Sequence, residues 1–358
     1  MRDTLSPVYA ANLSMVAYLQ QITQWKNSVL GTLCFSMEVE CQADSEAPCM
    51  RIPMQRLDSP ETSCDVWHGS GVVKQGHCGA IHYRQDDDVL FGVLVLTEPM
   101  ERTDADKTPL QQTTESAYQQ VFALLDQLRY PYLFRVWNYI ADINVQSFGL
   151  ERYQQFNLGR QDAFLAHGRE IAGNVPAACA LGFARRSSLP GSLSIAFLAG
   201  RTAPLSIENP RQISAYQYPR QYGPRSPTFS RASLVPLGQG EVLFISGTAS
   251  IVGHASLHPA DVAAQTRETM ANIEAVLGQA NHQAQRSNQT RFTLAALHYK
   301  VYVRRAADLQ PIRAELERIV GAPLNAIYLQ ADVCRQDLLL EIEATTGHPF
   351  PLMPDPRS

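Results

Sequence analysis

The run EVLFISGTASIV, residues 241–252, is β-branched and aromatic up to a glycine, and it reads as a strand. Downstream, His258-Pro259 opens a helix whose inward face is Val262, Thr266, Met270, Ile273 and Leu277, at helical spacing. FTLAALHYKVYVRR (292–305) reads as a long strand. Leu309, Ile312, Leu316 and Ile319 then mark a second helix, ended by Gly321 and Pro323. AIYLQADV (326–333) and LLLEIEA (338–344) complete a sheet, so this half predicts an α+β domain.

Working outward, a similar order precedes it. GSGVVKQGHCGAIHYR (69–84) and DDVLFGVLVLTEP (87–99) predict a hairpin turning at Gln85–Asp88. Pro109 opens a helix with Ala117, Val121, Leu124, Leu125 and Leu128 on its apolar face. LFRVWNYIADIN (133–144) reads as a strand. After a connecting stretch, CALGFARR (179–186) and SLSIAFLAG (192–200) flank an LPGS turn. In each half a Pro-opened helix precedes a strand ending in Ala-Asp, YIAD (139–142) and RRAAD (304–308), which suggests a duplicated unit whose N-terminal copy is degenerate. A polar insertion, Gln279–Thr290, lengthens the second copy. The expected organisation is an irregular arm with a few short strands over 1–60, one unit over 61–210 and a second over 211–358. The boundary falls near 205–225, where prolines and tyrosines interrupt any periodicity.

The 358 residues are 45% hydrophobic and 18% charged, with a formal charge of −4. No basic stripe of the kind that binds nucleic acid or an anionic membrane is visible, so neither partner is expected. No stretch approaches the ~20 apolar residues of a membrane span, and the N-terminal segment lacks a basic n-region. Seven cysteines without a C-x-x-C read as free thiols in a reducing cytoplasm, with one disulfide among the first 80 residues left open. There is no P-loop, G-x-G-x-x-G or metal-ligand spacing, and no cofactor or metal is expected.

Three segments carry chemical possibilities. YQYPRQYGPRSPTFSR (216–231) sets Tyr216, Tyr218 and Tyr222 among prolines and Arg220, Arg225 and Arg231. Guanidinium forks bind carboxylates bidentately, although the same stretch also fits a solvated linker. In LLLEIEA, alternation puts Glu341 and Glu343 on one face; they form either its wet side or, facing a closed pocket, a carboxyl raised into proton-donor range. Cys334, alone near that strand, fits either a small core residue or a reactive group.

PRSPTFSRASLV (224–235), GEVLFISGTASI (240–251), the AQTRETMANI of the helix (264–273) and LLLEIEA together resemble the RidA/YjgF-type proteins over about 120 residues. Those proteins carry G-P-Y-S-x-A, V-x-x-S-G, A-Q-T-R-x-x-x-x-N-I and E-I-E-A in this order. FRVWNYIADIN (134–144), GLERYQQFNLGR (149–160) and SAYQYPRQYGPRSP (214–227) extend the likeness to the chorismatases, two-domain relatives that release pyruvate from chorismate. The resemblance implies two RidA/YjgF-like (chorismate-mutase-like) βα domains in tandem. It also implies chorismate as substrate, Glu341 as the acid, and a hydroxybenzoate-forming type marked by Gly247 and Cys334, where hydrolytic members carry alanine and a small aliphatic residue. Arg225, Arg231 and Arg304, with Arg160 as a further candidate, are expected to hold the two carboxylates, and Tyr216 and Tyr222 to orient the ring. RidA deaminases place a carboxylate-binding arginine ahead of the last strands; none lies here between Arg318 and Arg335, which counts against the rival reading as an imine deaminase. A non-catalytic metabolite binder is the other rival. A monomer or small homo-oligomer is expected.

Overall fold

The computed structural model describes residues 9–14, 27–37, 47–184, 193–238, 240–284, 292–321 and 324–348. Most of the polar run at 40–48, the LPGS turn, most of the end of the 279–290 insertion and Pro323 lie outside them. The strands in chain order are β1 (Tyr9–Ser14), β2 (Val29–Phe35), β3 (Cys49–Ile52), β4 (Ser63–His68), β5 (Lys74–Cys78), β6 (Ile81–Gln85) and β7 (Val89–Leu96). Helix α1 (Pro109–Leu128), β8 (Tyr132–Ala141), helix α2 (Arg152–Ala166), β9 (Ala177–Phe183) and β10 (Leu193–Gly200) complete the first half. The second half holds β11 (Leu205–Ile207), β12 (Ala232–Leu237), β13 (Gly240–Thr248), α3 (Val262–Ala284) and β14 (His298–Val303). It closes with α4 (Leu309–Val320), β15 (Asn325–Gln330), β16 (Asp332–Val333) and β17 (Leu340–Thr346).

The two main sheets have the orders β16-β9-β8-β10-β7-β6-β5 and β11-β12-β13-β17-β14-β15. Each contains the same four-stranded kernel. In β9-β8-β10-β7, β8 and β9 run parallel across the α2 crossover while β10 is antiparallel to both β8 and β7. In β15-β14-β17-β13, β14 and β15 run parallel across α4 while β17 is antiparallel to β14 and β13. This repetition of strand order and direction is what the Pro-helix-strand parallel between the halves anticipates. The halves are also laced together. β16, from the C-terminal half, pairs with β9, and β11 already pairs with β12, so the second sheet begins at Leu205 rather than beyond 210.

Among the described residues of 9–68, the short strands expected in the N-terminal arm are not isolated: they pair as a third sheet, β1-β4-β2-β3. Every residue of β2 is buried, and Leu33, Phe35 and Trp67 join Phe91, Trp137, Phe244 and Tyr302 in one apolar core between the two main sheets. A strand buried on both faces shows no alternation, which is why this one lacks a periodic signal. Cys49 is disulfide-bonded, the alternative left open for the first 80 residues, whereas Cys34, Cys64, Cys78, Cys179 and Cys334 are free thiols.

The helices cover the outer faces. Thr108 caps α1 by accepting from the Gln111 amide, with Pro109 in the first turn where no amide partner is lost. Helix α3 starts later than His258-Pro259 suggests. His258 and Ala260 have positive φ, and Asp261 is the group that accepts from the Ala264 amide. Helix α2 has no counterpart in the expectations, which leave 145–178 as a connection. Its buried face is Arg152, Gln155, Asn157, Arg160 and Gln161 alongside Phe156 and Phe164, so it shows almost no apolar periodicity. It still packs tightly: a Cβ at Gly159 would stand 2.1 Å from the Gln111 carbonyl oxygen of α1. The predicted hairpin at 69–99 is two hairpins, because the first run itself turns at Gly79-Ala80.

Leu33→Ala on β2 is expected to cost about 2–5 kcal/mol, the range for a buried leucine. A denaturant-midpoint shift corresponding to less than about 0.5 kcal/mol, as at a surface position, would contradict the placement of this sheet in the core.

Candidate active site

The alternation predicted for LLLEIEA is present, and it decides where the chemistry sits. Leu340, Ile342 and Ala344 of β17 pack towards α3 and α4, in a cluster with Met270, Ile273 and Ile312. Glu341 and Glu343 therefore point the other way, into the space between the two main sheets, and are 4% and 3% exposed. The wet-face alternative does not apply, because this face is covered by β8 and β9 of the other half.

Glu341 forms part of the wall of a cavity of about 390 Å³. Helix α2 contributes Tyr153, Gln154 and Arg160; β9 contributes Ala178, Cys179 and Ala180. The segment before β12 gives Tyr218, Tyr222, Phe229 and Arg231, the end of β13 gives Gly247 and Ala249, and the turn before β17 gives Cys334 and Arg335. Both halves of the duplication thus face one hollow. Strand β9 is held to the opposite half by side chains: the amides of Ala177 and Ala178 donate to Ser233 Oγ (3.0 Å) and Ser246 Oγ (2.9 Å).

Burial pushes the Glu341 carboxyl up to about 8; the charge of Glu343 adds to this, while Arg135 and Arg231 oppose it. Glu343 is buried too, and burial alone would raise it. Lys300 and Arg135 outweigh that and hold it down at about 2. Lys300 lies 2.7 Å from Glu343 Oε1, Trp137 Nε1 donates to the same oxygen at 3.1 Å, and Arg135 pairs with Oε2. Two carboxyls on one strand face are thus pushed apart, one to a neutral acid and one to a permanent carboxylate, a separation typical of acid–base sites.

Gly247 is required by this arrangement. A Cβ there would lie 1.9 Å from Glu341 Oε1 and 3.2 Å from the Cys179 Cβ, so the carboxyl occupies space that any side chain would take. Burial raises the Cys334 thiol to about 12, with the Glu341 charge contributing, so it stays protonated and is no thiolate nucleophile.

Three guanidinium groups reach the hollow with donors unspent. Arg160 is 2% exposed, lies over the Tyr118 ring (5.1 Å to the centroid), and leaves Nε and Nη2 without a protein partner. Arg231 donates from Nη2 to the Ile213 carbonyl (2.9 Å) and the Tyr218 hydroxyl (2.8 Å) but leaves Nε open. Arg335 donates from Nη1 to the His254 carbonyl (2.8 Å), stacks 3.9 Å from the Tyr222 centroid and leaves Nη2 open. Buried donors left unpaired are costly, and three of them around one cavity suit an anion with more than one carboxylate.

Of the residues singled out from sequence, Glu341, Cys334, Gly247, Tyr222, Arg231 and Arg160 line this cavity; Tyr216, Arg225 and Arg304 do not. A short 3₁₀ turn at Ala215–Gln217 turns Tyr218, not Tyr216, inward. Arg225 is exposed. Arg304 is committed to the framework, donating to the carbonyls of Leu338, Val333 and Arg335 and pairing with Asp332 at 2.7 Å. Arg335 was missed: it bounds the stretch from Arg318 that holds no arginine, and it lines the cavity. Tyr153 was missed with helix α2. Among the described residues no cluster of His, Cys, Asp and Glu suits a metal ion, and no helix is long and apolar enough to cross a membrane.

Comparison with known proteins fits this geometry. The family model for the N-terminal part of FkbO/Hyg5-like chorismatases matches residues 65–199. A 3-hydroxybenzoate synthase of Streptomyces hygroscopicus is 36% identical over 289 residues, covering 79% of this chain and 81% of that protein. A chorismatase of the same organism is 37% identical over 289 residues, with 79% of each covered. A crystal structure of a chorismatase superposes with a TM-score of 0.82 and 31% identity, covering 96% of this chain and 98% of that one. The chain belongs to the chorismatase family.

Gly247→Ala is expected to displace the Glu341 carboxyl from its present position. A crystal structure of the variant with Glu341 unmoved would show that the contact does not set its place.

Proposed function

We propose that this protein is a chorismatase of the 3-hydroxybenzoate-forming type, in which Glu341 protonates the enolpyruvyl group of chorismate. The observation that carries the reading is a buried carboxyl, raised by that burial into proton-donor range, in a cavity between the two repeats that it shares with three arginines with open donors. Chorismate is a dianion bearing an enol ether. Arg160, Arg231 and Arg335 supply charge-assisted donors for its two carboxylates, and Tyr153, Tyr218 and Tyr222 supply rigid walls and hydroxyls.

The proton of Glu341 goes to the enolpyruvyl methylene carbon, which turns the side chain into an oxocarbenium-like group and pyruvate into a leaving group. In a closed cavity the neighbouring ring hydroxyl displaces the ether oxygen and forms an arene oxide, giving its proton to the Glu341 carboxylate; the oxide oxygen takes that proton as the ring opens, and a ring proton is lost to aromatise. The atoms of 3-hydroxybenzoate and pyruvate sum to those of chorismate, so this route consumes no water, and the departing ring proton can restore Glu341. Where water reaches the ring instead, its attack gives a diol. Cys334, held as a thiol, lies beside Glu341 and is placed to guide opening of the oxide or relay that proton. The same reading makes the protein a cytoplasmic monomer or small homo-oligomer that takes chorismate without a cofactor.

Glu341→Gln is expected to lower kcat by ~10²–10⁴-fold, the usual contribution of a general acid. Because the protonated form is the active one, the rate should be constant below and fall above a pH of about 8 as Glu341 ionises. Turnover of chorismate by Glu341→Gln at the parent rate, followed by pyruvate release, would sink the assignment. The double variant Gly247→Ala/Cys334→Val is expected to move product from hydroxybenzoate towards the diol. An unchanged product ratio by chromatography would reject the roles given to these two positions.

A further inference from the structure

Behind Glu341 lies a closed set of four charges that the proposed chemistry does not touch. Lys300 of β14 forms ion pairs of 2.7 Å with both Glu343 and Asp65, and Arg135 of β8 pairs with the other oxygen of Glu343. None of these side chains is more than 8% exposed. Each of the three sheets contributes: Asp65 comes from β4 of the N-terminal sheet, Arg135 from the first repeat, and Lys300 and Glu343 from the second. Trp137 and Phe35 shield the set, with Lys300 Nζ 5.5 Å and 5.1 Å from their ring centroids.

Two cations and two anions balance. A buried charge is tolerated only when paired, and here each cation is already paired. Glu341 stands two residues from Glu343 on the same face of β17, roughly 7 Å along the strand, and would be a fifth charge. The groups around it are Glu343 on its own strand, Arg135 on β8, Arg231 before β12, Cys179 on β9, Cys334 in the preceding turn and Tyr153 on α2. Arg160 and Arg335 line the same cavity. Of these four cations, Arg135 is committed to Glu343, and Arg160, Arg231 and Arg335 are the groups proposed to bind substrate.

We propose that Asp65, Lys300, Glu343 and Arg135 are positioning residues whose charge balance keeps the Glu341 carboxyl neutral, and that the N-terminal sheet acts on the reaction through Asp65. This deepens the reading of Glu341 as the acid and rests on it. The quartet touches no substrate atom. It leaves neither of its own two cations to pair with Glu341 and fixes the strand that carries it.

The test alters the balance by one charge and then restores it. Asp65→Asn leaves the set with an excess positive charge, which stabilises ionised Glu341. Asp65→Asn/Lys300→Met leaves the balanced pair Glu343–Arg135. Glu341 is titrated by infrared difference spectroscopy, with Glu341→Gln as the blank, alongside the pH dependence of pyruvate release. The expected result is a midpoint and a basic limb lowered by about one pH unit in Asp65→Asn, and a return to near the parent value in the double variant. An unmoved midpoint in Asp65→Asn, or a double variant as far displaced as the single one, would overturn the proposal. A merely structural role predicts that the double variant is at least as damaged. If Asp65→Asn yields no soluble protein, the double variant decides alone: a midpoint near the parent's supports the proposal, and one displaced by about a unit overturns it. Should Glu341→Gln keep full turnover while the midpoints move as stated, the catalytic reading fails and the charge balance stands.

Discussion

A carboxyl group cannot sit between two packed sheets as a free anion. It must find a counter-charge or keep its proton, because moving an isolated charge out of water costs several kcal/mol even after relaxation. Strand β17 imposes this choice twice, since its period of two sends both Glu341 and Glu343 away from α3 and α4 and towards β8 and β9. Glu343 takes the available cations, Lys300 and Arg135, and is ionised. Glu341 makes no such ion pair among the described residues, and burial pushes it up to about 8. The differentiation of two identical side chains comes from the neighbours they meet, not from their place in the sequence.

The duplication explains where the cavity lies. Two copies of one βα unit pack sheet against sheet with helices outside, and the inner faces cannot be apolar throughout if a dianion is to bind there. The core between the sheets is accordingly divided. At one end Phe91, Trp137, Phe244 and the N-terminal sheet close it with hydrophobic packing. At the other, α2 presents arginine and tyrosine, whereas α4 of the second repeat packs Ile312 and Leu316 against α3 and its own sheet. The degeneracy of the first repeat and the polar inward face of α2 are therefore one fact: that helix faces a site rather than only a core.

Sequence patterns disclosed the regular parts of this structure and missed those shaped by function. The apolar faces of α1, α3 and α4 and the alternation of β17 are periodic, so they were legible. Helix α2 was not, because its buried side chains include Arg152, Gln155, Asn157, Arg160 and Gln161. Strand β2 was not, because it is buried on both faces. Whether Glu341 met water or a pocket lay beyond any pattern, and only likeness to chorismatases singled it out. The choice of Tyr216 over Tyr218 failed by the phase of one short turn. Arg304 was chosen and Arg335 passed over because spacing does not reveal which guanidinium is consumed by backbone carbonyls. Asp65 carried no signal, since its partner Lys300 is distant in the chain.

Neutron diffraction from deuterated crystals near neutral pH tests the central claim most directly, because it locates protons on both carboxyls at once. A deuteron on Glu341, with Glu343 bare between Lys300 and Arg135, is the result this account requires. A bare Glu341 at that pH would contradict it.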